Sequence, residues 1–259
     1  MIFNNKMGLG MMRFPPSQDT VTNFIAEALK LGVTYIESCH FYINYQCEPL
    51  IGNALANFPR DSFELAAKCC YKGEIDNYDL ENYFNEQLKV LKVDYFDYYL
   101  LQAIDRYSFV SETELKPAFF QFYNFLVQKQ KEGKIKYIGF SFHDTPPYLE
   151  HLLKTLKWDF CQLQLNYYDW YLGYAKDLYF ITEKYNIPIF VMGALKGGLL
   201  GDRNNIPPQY AYNFLGLLPN VKLILNGATD LEQLQANNQM INNPGPITKH
   251  ELEVMKKIA

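Results

Sequence analysis

The chain has 259 residues, 49% hydrophobic and 20% charged, enough apolar matter to bury one large core. A formal net charge of −4 gives no basic footprint for nucleic acid and no polybasic membrane patch. The five cysteines form no C-x-x-C pair, the four histidines no H-x-x-x-H pair, and no apolar run reaches about 18 residues. The expectation is a reduced, cytoplasmic chain without metal, nucleic-acid or membrane partners.

In chain order, Met7–Met12 reads as a first strand, and Asp19 or Thr20 caps a helix that ends at Gly32. Val33–Ile36 is a second, buried strand that stops at Glu37; a polar-aromatic loop with Tyr42 follows, then a helix from about Glu48 to Leu55. Asp61–Lys68 is the third strand, followed by a helix over 79–91. Tyr95–Leu101 is the fourth, with a helix over 114–132; Ile135–Phe140 is the fifth, with a helix over 146–156. Phe160–Leu165 and its helix over 173–185, Ile187–Met192 and a weaker helix over 208–218, and Val221–Leu225 with a helix over 230–240 complete the series. After a Pro-Gly-Pro break, the tail reads as a short amphipathic helix on the outside. Eight strand–helix units in strict alternation predict right-handed crossovers and a closed α/β barrel of the (β/α)8 TIM type, as a single domain over 1–259.

Active sites of such barrels lie at the carboxyl ends of the strands. Those ends carry Glu37 with Tyr42, Lys68, Gln102, Ser141, and Gln162 with Gln164 and Asn166; then Met192, Gly193, Lys196, Gly197 and Gly198, and finally Asn226, Gly227, Ala228 and Thr229. An apolar strand broken by one polar group at its mouth, repeated around the ring, describes a polar pocket. Proton transfer by tyrosine fits it. A free phenol, pKa about 10, is a poor acid–base at neutral pH. An ammonium at ~4 Å and an effective dielectric near 20 favours tyrosinate by roughly 4 kcal/mol, about 3 pK units. Lys68 is therefore expected to bring Tyr42 towards neutral pH, with Glu37 holding Lys68 and Gln102 offering an amide donor to a substrate carbonyl. Delivering a proton to oxygen is half of a carbonyl reduction; the hydride must come from a cofactor. Gly197-Gly198 and Gly227-Ala228-Thr229 serve either as plain turns or as a phosphate seat, and no G-x-G-x-x-G element follows any strand.

These residues resemble the aldo-keto reductase superfamily over nearly the whole chain. GVTYIESCHFYINYQCEPLIGNAL is similar to that family's G-V-N-x-x-D-T-A-x-x-Y-G-x-G-x-S-E-x-x-L-G-x-A-L segment, and ELAAK to its lysine motif. DYFDYYLLQ resembles D-x-x-D-L-Y-L-L-H, GKIKYIGFS resembles G-K-I-R-Y-I-G-V-S, and LNGATDLEQLQAN resembles I-P-G-A-T-x-P-E-Q-L-x-E-N. GFSFHDTP and VMGALKGG look closest to a bacterial branch whose members often carry a C-terminal iron–sulfur extension; no Cys follows Cys161 here.

The resemblance implies NADPH or NADH as cofactor and a small carbonyl or alcohol substrate. Tyr42 and Lys68 fall on the family's catalytic Tyr and Lys, whereas Glu37 and Gln102 replace its Asp and His. Nicotinamide contacts fall on Ser141 and Gln162, with Phe142 where an Asn is usual. Met192, Gly193, Leu195, Gly197 and Gly198 line the cofactor after strand seven. The phosphate and adenosine loop falls on Gly227, Ala228, Thr229, Gln233 and Asn237. Gln233 replaces an Arg common in NADPH-preferring members, which makes NADH at least as good a candidate. Glu37 adds one methylene to the arm that holds Lys68. Ile43 and Tyr45 replace loop glycines, a bulkier pocket wall. Two alternatives stay open: a cofactor-binding regulatory protein with weak or lost turnover, and altered chemistry such as C=C reduction, elimination or epimerisation, with His143 as substitute acid–base. Substrate, oligomeric state and reaction direction are not legible at this level.

Overall fold

The computed structural model describes residues 3–13, 16–70 and 79–258. Eight parallel strands close a barrel: β1 (Met7–Gly10), β2 (Tyr35–Glu37), β3 (Glu64–Cys70), β4 (Phe96–Ile104), β7 (Ile135–Phe142), β8 (Phe160–Gln164), β9 (Ile189–Met192) and β10 (Val221–Asn226), the last pairing back on β1. The two remaining strands, β5 (Phe109–Ser111) and β6 (Glu114–Leu115), form an antiparallel hairpin after β4. Around the barrel lie α1 (Gln18–Lys30), α2 (Cys47–Leu55), α3 (Leu80–Leu91), α4 (Pro117–Lys131), α5 (Pro146–Thr155), α6 (Tyr167–Leu172), α7 (Ala175–Lys184), α8 (Gln209–Gly216), α9 (Leu231–Asn242) and α10 (Lys249–Ile258).

The expected strand–helix alternation is present, with three local differences. Ser17, rather than Asp19 or Thr20, caps α1, its side chain accepting from the Thr20 amide. The helix read from residue 114 begins at Pro117. A proline at the first helical position has no amide to give to an earlier turn and pushes the residue before it into extended backbone, so Glu114 and Leu115 are left to the hairpin. Six residues read as loop form α6, started by Asn166, whose side chain accepts from the Asp169 amide, and followed by Gly173.

Strands buried on both faces read as near-continuous apolar runs, and their period of two decides which residues enter the barrel. Tyr35, Ala66, Tyr98, Leu100, Phe160, Phe190 and Leu223 form the inner cluster, with Phe3 and Tyr137 packed on it. Phe160 and Phe190 stack at 4.5 Å and Tyr35 meets Tyr98 at 5.1 Å. On the outer side Phe84 of α3 packs on Phe96 and Tyr99 at 5.4 and 5.2 Å, and Phe140 meets Trp158 at 4.8 Å. The aromatic residues thus fill the barrel interior as well as the strand–helix layer. Directly above the inner rings, the same alternation turns Glu37, Lys68, Gln102, Ser141 and Gln162 towards the mouth.

Candidate active site

Glu37 ends β2 and Lys68 lies on the neighbouring β3, which runs two residues past the expected end at Lys68; they are 3% and 4% exposed, so two charges sit in the barrel almost without water. They survive there because they pair: Lys68 Nζ lies 2.6 Å from Glu37 Oε1. The ammonium also donates to Tyr42 OH at 3.0 Å and to Gln162 Oε1 at 3.3 Å, which uses its three protons. Glu37 Oε2 accepts from Gln162 Nε2 and, at 3.5 Å, from Tyr35 OH. Burial alone would lower the Lys68 pKa, but Glu37 and Tyr42 beside it hold it above its ordinary value. Tyr42 departs from the sequence-based expectation. Burial pushes its phenol up to about 12. Lys68 pulls it down, and Glu37, paired to the same ammonium, opposes that pull by favouring the neutral phenol.

Tyr42 is carried by a turn in which Ile43, Asn44 and Tyr45 all have positive φ, at 52°, 50° and 68°. The turn leads into α2, whose Glu48 is 1% exposed. Glu48 Oε1 accepts from Gln87 Nε2 at 2.7 Å; Oε2 lies 3.4 Å from His40 Nδ1 without a well-formed hydrogen bond. Burial raises this carboxyl to about 7, with the Gln87 contact opposing. Gln87 also donates to the Lys68 carbonyl at 3.2 Å, tying this buried acid to the strand that bears the lysine.

Across the mouth, Gln102 Oε1 accepts from the Cys39 thiol at 3.0 Å. The register of β4 on β7 shifts between Leu101 and Ile104, and Ala103 takes φ 56°. The shift aims the Ala103 amide at Ser141 Oγ, 2.7 Å away, so the Ser141 lone pairs are partly spent inside the barrel wall. Phe142 points to the outer layer, buried near Phe140. His143 directly follows β7, its imidazole pKa lowered by burial at the mouth and by the Lys68 charge.

At the mouths of β9 and β10 the backbone takes over. Gly193, Gly197 and Gly198 have φ of 67°, 66° and 93°, values that side chains with a Cβ rarely adopt. A Cβ at Gly197 would lie 3.7 Å from Arg13 Nη2, and one at Gly198 would lie 3.4 Å from Arg203 Nε, so two exposed guanidinium groups flank this segment. Lys196 turns away from it onto Asp169, which also accepts from Gln164 Nε2 and Asn166 Nδ2 at 2.6 and 2.8 Å. Met192 is half-buried at the end of β9, and Leu195 precedes the glycine pair. After β10, buried Asn226 accepts from the Ala228 amide at 3.0 Å and from Asn237 Nδ2 at 3.3 Å, which shapes the Gly227–Thr229 loop. Gln233 Oε1 accepts from the Thr229 amide and hydroxyl, both at 3.3 Å, and Asp230 caps α9 through the Gln233 amide at 2.8 Å.

The structure therefore gathers Glu37, Tyr42, Lys68 and Gln162 into one bonded group and sets Gln102 and Ser141 on the adjoining wall. Met192 to Gly198 and Gly227 to Asn237 form a second, backbone-rich rim. Sequence reading missed Tyr35, Arg13, Arg203 and Asp169. Period two from Glu37 was the available signal for Tyr35; the arginines lie in three-residue 3-10 turns, too short to carry a pattern of their own. Among the described residues no group of three or more His, Cys, Asp or Glu side chains is placed to hold a metal ion, and no helix is long and apolar enough to cross a membrane.

The sequence pattern of the aldo/keto reductase family matches residues 6–214. No curated protein matches the chain by sequence. Among solved structures, the holo form of an aldo-keto reductase from Bacillus halodurans is similar at TM-score 0.80 and 19% identity, covering 100% of this chain and 95% of that one. An aldo-keto reductase from Klebsiella pneumoniae in complex with NADPH superposes at TM-score 0.77 and 19% identity, covering 98% of this chain and 90% of that one. A thermostable aldo-keto reductase bound to the inhibitor epalrestat does so at TM-score 0.76 and 20% identity, with 98% and 95% covered.

Proposed function

The chain belongs to the aldo/keto reductase family, and we propose that it is an oxidoreductase that passes hydride between a nicotinamide dinucleotide and a small carbonyl or alcohol substrate, with Tyr42 as acid–base. The observation that carries this reading is the Lys68 ammonium shared between Glu37 and Tyr42 at the barrel mouth, 2.6 Å from one and 3.0 Å from the other. Bound, the cofactor supplies hydride and this chain supplies the proton. Tyr42, protonated across the physiological range, donates to the carbonyl oxygen; Lys68 and the Gln102 amide stabilise the charge that develops there. Gln102 has no ionisation to lose, so it acts as a donor of constant strength. The dinucleotide phosphates fit the left-handed glycines of residues 193–198, flanked by Arg13 and Arg203, and the Gly227–Thr229 loop. Gln233 is neutral and already engaged by Thr229, and the Asp230 carboxylate caps α9 beside it. Both disfavour a 2′-phosphate, and NADH is expected to bind at least as tightly as NADPH.

Titrating the protein with each nucleotide by tryptophan fluorescence, then following aldehyde turnover in wild type and Tyr42→Phe, tests the reading. We expect micromolar binding, a loss of turnover of about 10²-fold or more in the variant, and an oxidation rate that climbs with pH towards the raised Tyr42 pKa while reduction stays flat. Nucleotide binding with no turnover that Tyr42→Phe abolishes would favour the second reading, a cofactor-binding regulatory protein, for which the replacement of the two expected tetrad residues by Glu37 and Gln102 is the motive. No binding of either nucleotide would overturn both.

A further inference from the structure

We propose that Gln162 and Tyr35 are positioning residues that form a bracket on Glu37, and that this bracket is what allows a glutamate to hold Lys68 against Tyr42. The inference rests on the reading of Tyr42 and Lys68 given under Proposed function. Its starting point is geometric. A carboxylate on a longer arm reaches the ammonium with an extra torsion to spare, and an unheld glutamate would let Lys68 wander. Here the second oxygen is not loose. Gln162 Nε2 donates to Glu37 Oε2, and Tyr35 OH approaches the same oxygen at 3.5 Å. Gln162 Oε1 meanwhile accepts from Lys68 Nζ at 3.3 Å.

The orientation of the Gln162 amide follows from charge. Reversed, it would set a carbonyl oxygen against the carboxylate and an NH2 group against the ammonium. The residues are also poor candidates for any other duty. Gln162 has no exposed surface and Tyr35 is 1% exposed. The Tyr35 ring is wedged among Tyr98, Phe190 and Phe3 at centroid distances of 5.1, 5.4 and 6.3 Å, so its hydroxyl is held under Glu37 by packing. Five polar contacts, from Lys68 to Glu37, Tyr42 and Gln162 and from Glu37 to Gln162 and Tyr35, use three protons of Lys68, both oxygens of Glu37 and both ends of the Gln162 amide. Gln162 is thus engaged by the charge pair at both ends of its amide; contact with a nicotinamide carboxamide is the other use that the family resemblance gives it.

The test separates the two uses of Gln162. Gln162→Leu and Tyr35→Phe are measured for nucleotide affinity, for kcat and KM with a short aliphatic aldehyde, and for the pH dependence of kcat in the oxidation direction. The bracket predicts that each variant lowers kcat, by about 10- to 100-fold for Gln162→Leu and less for Tyr35→Phe. It also predicts a displaced pH profile and nucleotide Kd within about 2-fold of wild type. A Gln162→Leu protein whose nucleotide Kd rises 10-fold or more, with an unmoved pH profile, would overturn it. An arm that needs no cofactor runs in parallel. Urea midpoints of both variants are compared in the wild-type and Glu37→Gln backgrounds. Non-additive midpoints support the bracket, and strict additivity removes it. If the wild type binds no nucleotide, the reading of function fails while the urea cycle still decides the bracket. Tyr35→Phe, which keeps the ring, serves if Gln162→Leu does not fold.

Discussion

Glu48 shows how burial without a full set of partners becomes a dependence on pH. One of its oxygens is held by Gln87, the other is buried beside His40 without a hydrogen bond, and the carboxyl is raised from 4.5 to about 7. The raised value means that the folded chain holds this proton more tightly than the unfolded one. Between pH 4.5 and 7 the native state carries the extra proton, so stability falls as pH rises through that window and levels off above it. A shift of this size is worth about 3 kcal/mol. Glu48→Gln keeps an acceptor for Gln87 and removes the ionisation. Its urea-unfolding free energy is expected to gain on wild type by about that amount between pH 5 and pH 8; a difference independent of pH would show that Glu48 ionises freely. Neither the burial nor the missing partner is visible in the string C-E-P-L, where Glu48 reads as an ordinary first-turn acid. The same reason hid the state of Tyr42: the sequence names Lys68 as its neighbour, but the net shift depends on how much water the closed barrel removes and on Glu37 sharing that neighbour.

At the scale of elements, the turn after Tyr42 is where local preference and fold disagree. Three successive residues other than glycine adopt left-handed backbone, which costs roughly 1–2 kcal/mol each for a residue with a Cβ, less for Asn44. Ile43 is half-buried and packs on the core, a partial compensation. Tyr45 is 57% exposed, and its ring contacts are with His40 and Phe41 at 5.1 and 5.5 Å. Tyr45→Gly should therefore stabilise the protein by about 0.5–1 kcal/mol, after allowing for the entropy of glycine, and raise the melting midpoint by about 1–3 °C in calorimetry. A lowered midpoint would mean that the ring cluster outweighs the strain. Helix ends were more legible than helix starts. Gly32 after α1 and Gly133 after α4 take positive φ within one turn of the helix, an effect the residue itself carries, whereas the Ser17 cap and the Pro117 start were displaced by a few residues from the sequence reading.

For the whole molecule, the barrel interior is the test of the layered packing. Gly139 faces Phe160 across β7 and β8; a Cβ there would lie 2.5 Å from two ring carbons. Phe160 has no exposed surface and is pinned between Phe190 and Tyr98, so the ring has no room to yield. Gly139→Ala is expected to cost about 1–3 kcal/mol and several degrees of melting temperature without changing the far-ultraviolet circular dichroism; an unchanged midpoint would mean the inner rings are loosely packed. By itself the sequence determined the eight strand–helix units, the family, and the inward positions at the strand mouths, because helix and strand periodicity and turn chemistry act over a few residues. Only the tertiary structure decided which of those mouth residues meet. It set Gln162 on Glu37 across 125 positions of sequence, turned Lys196 onto Asp169, and kept the Tyr42 phenol protonated. Such choices belong to the closure of the ring: closure brings distant side chains within bonding distance and removes the water that would otherwise level their charges.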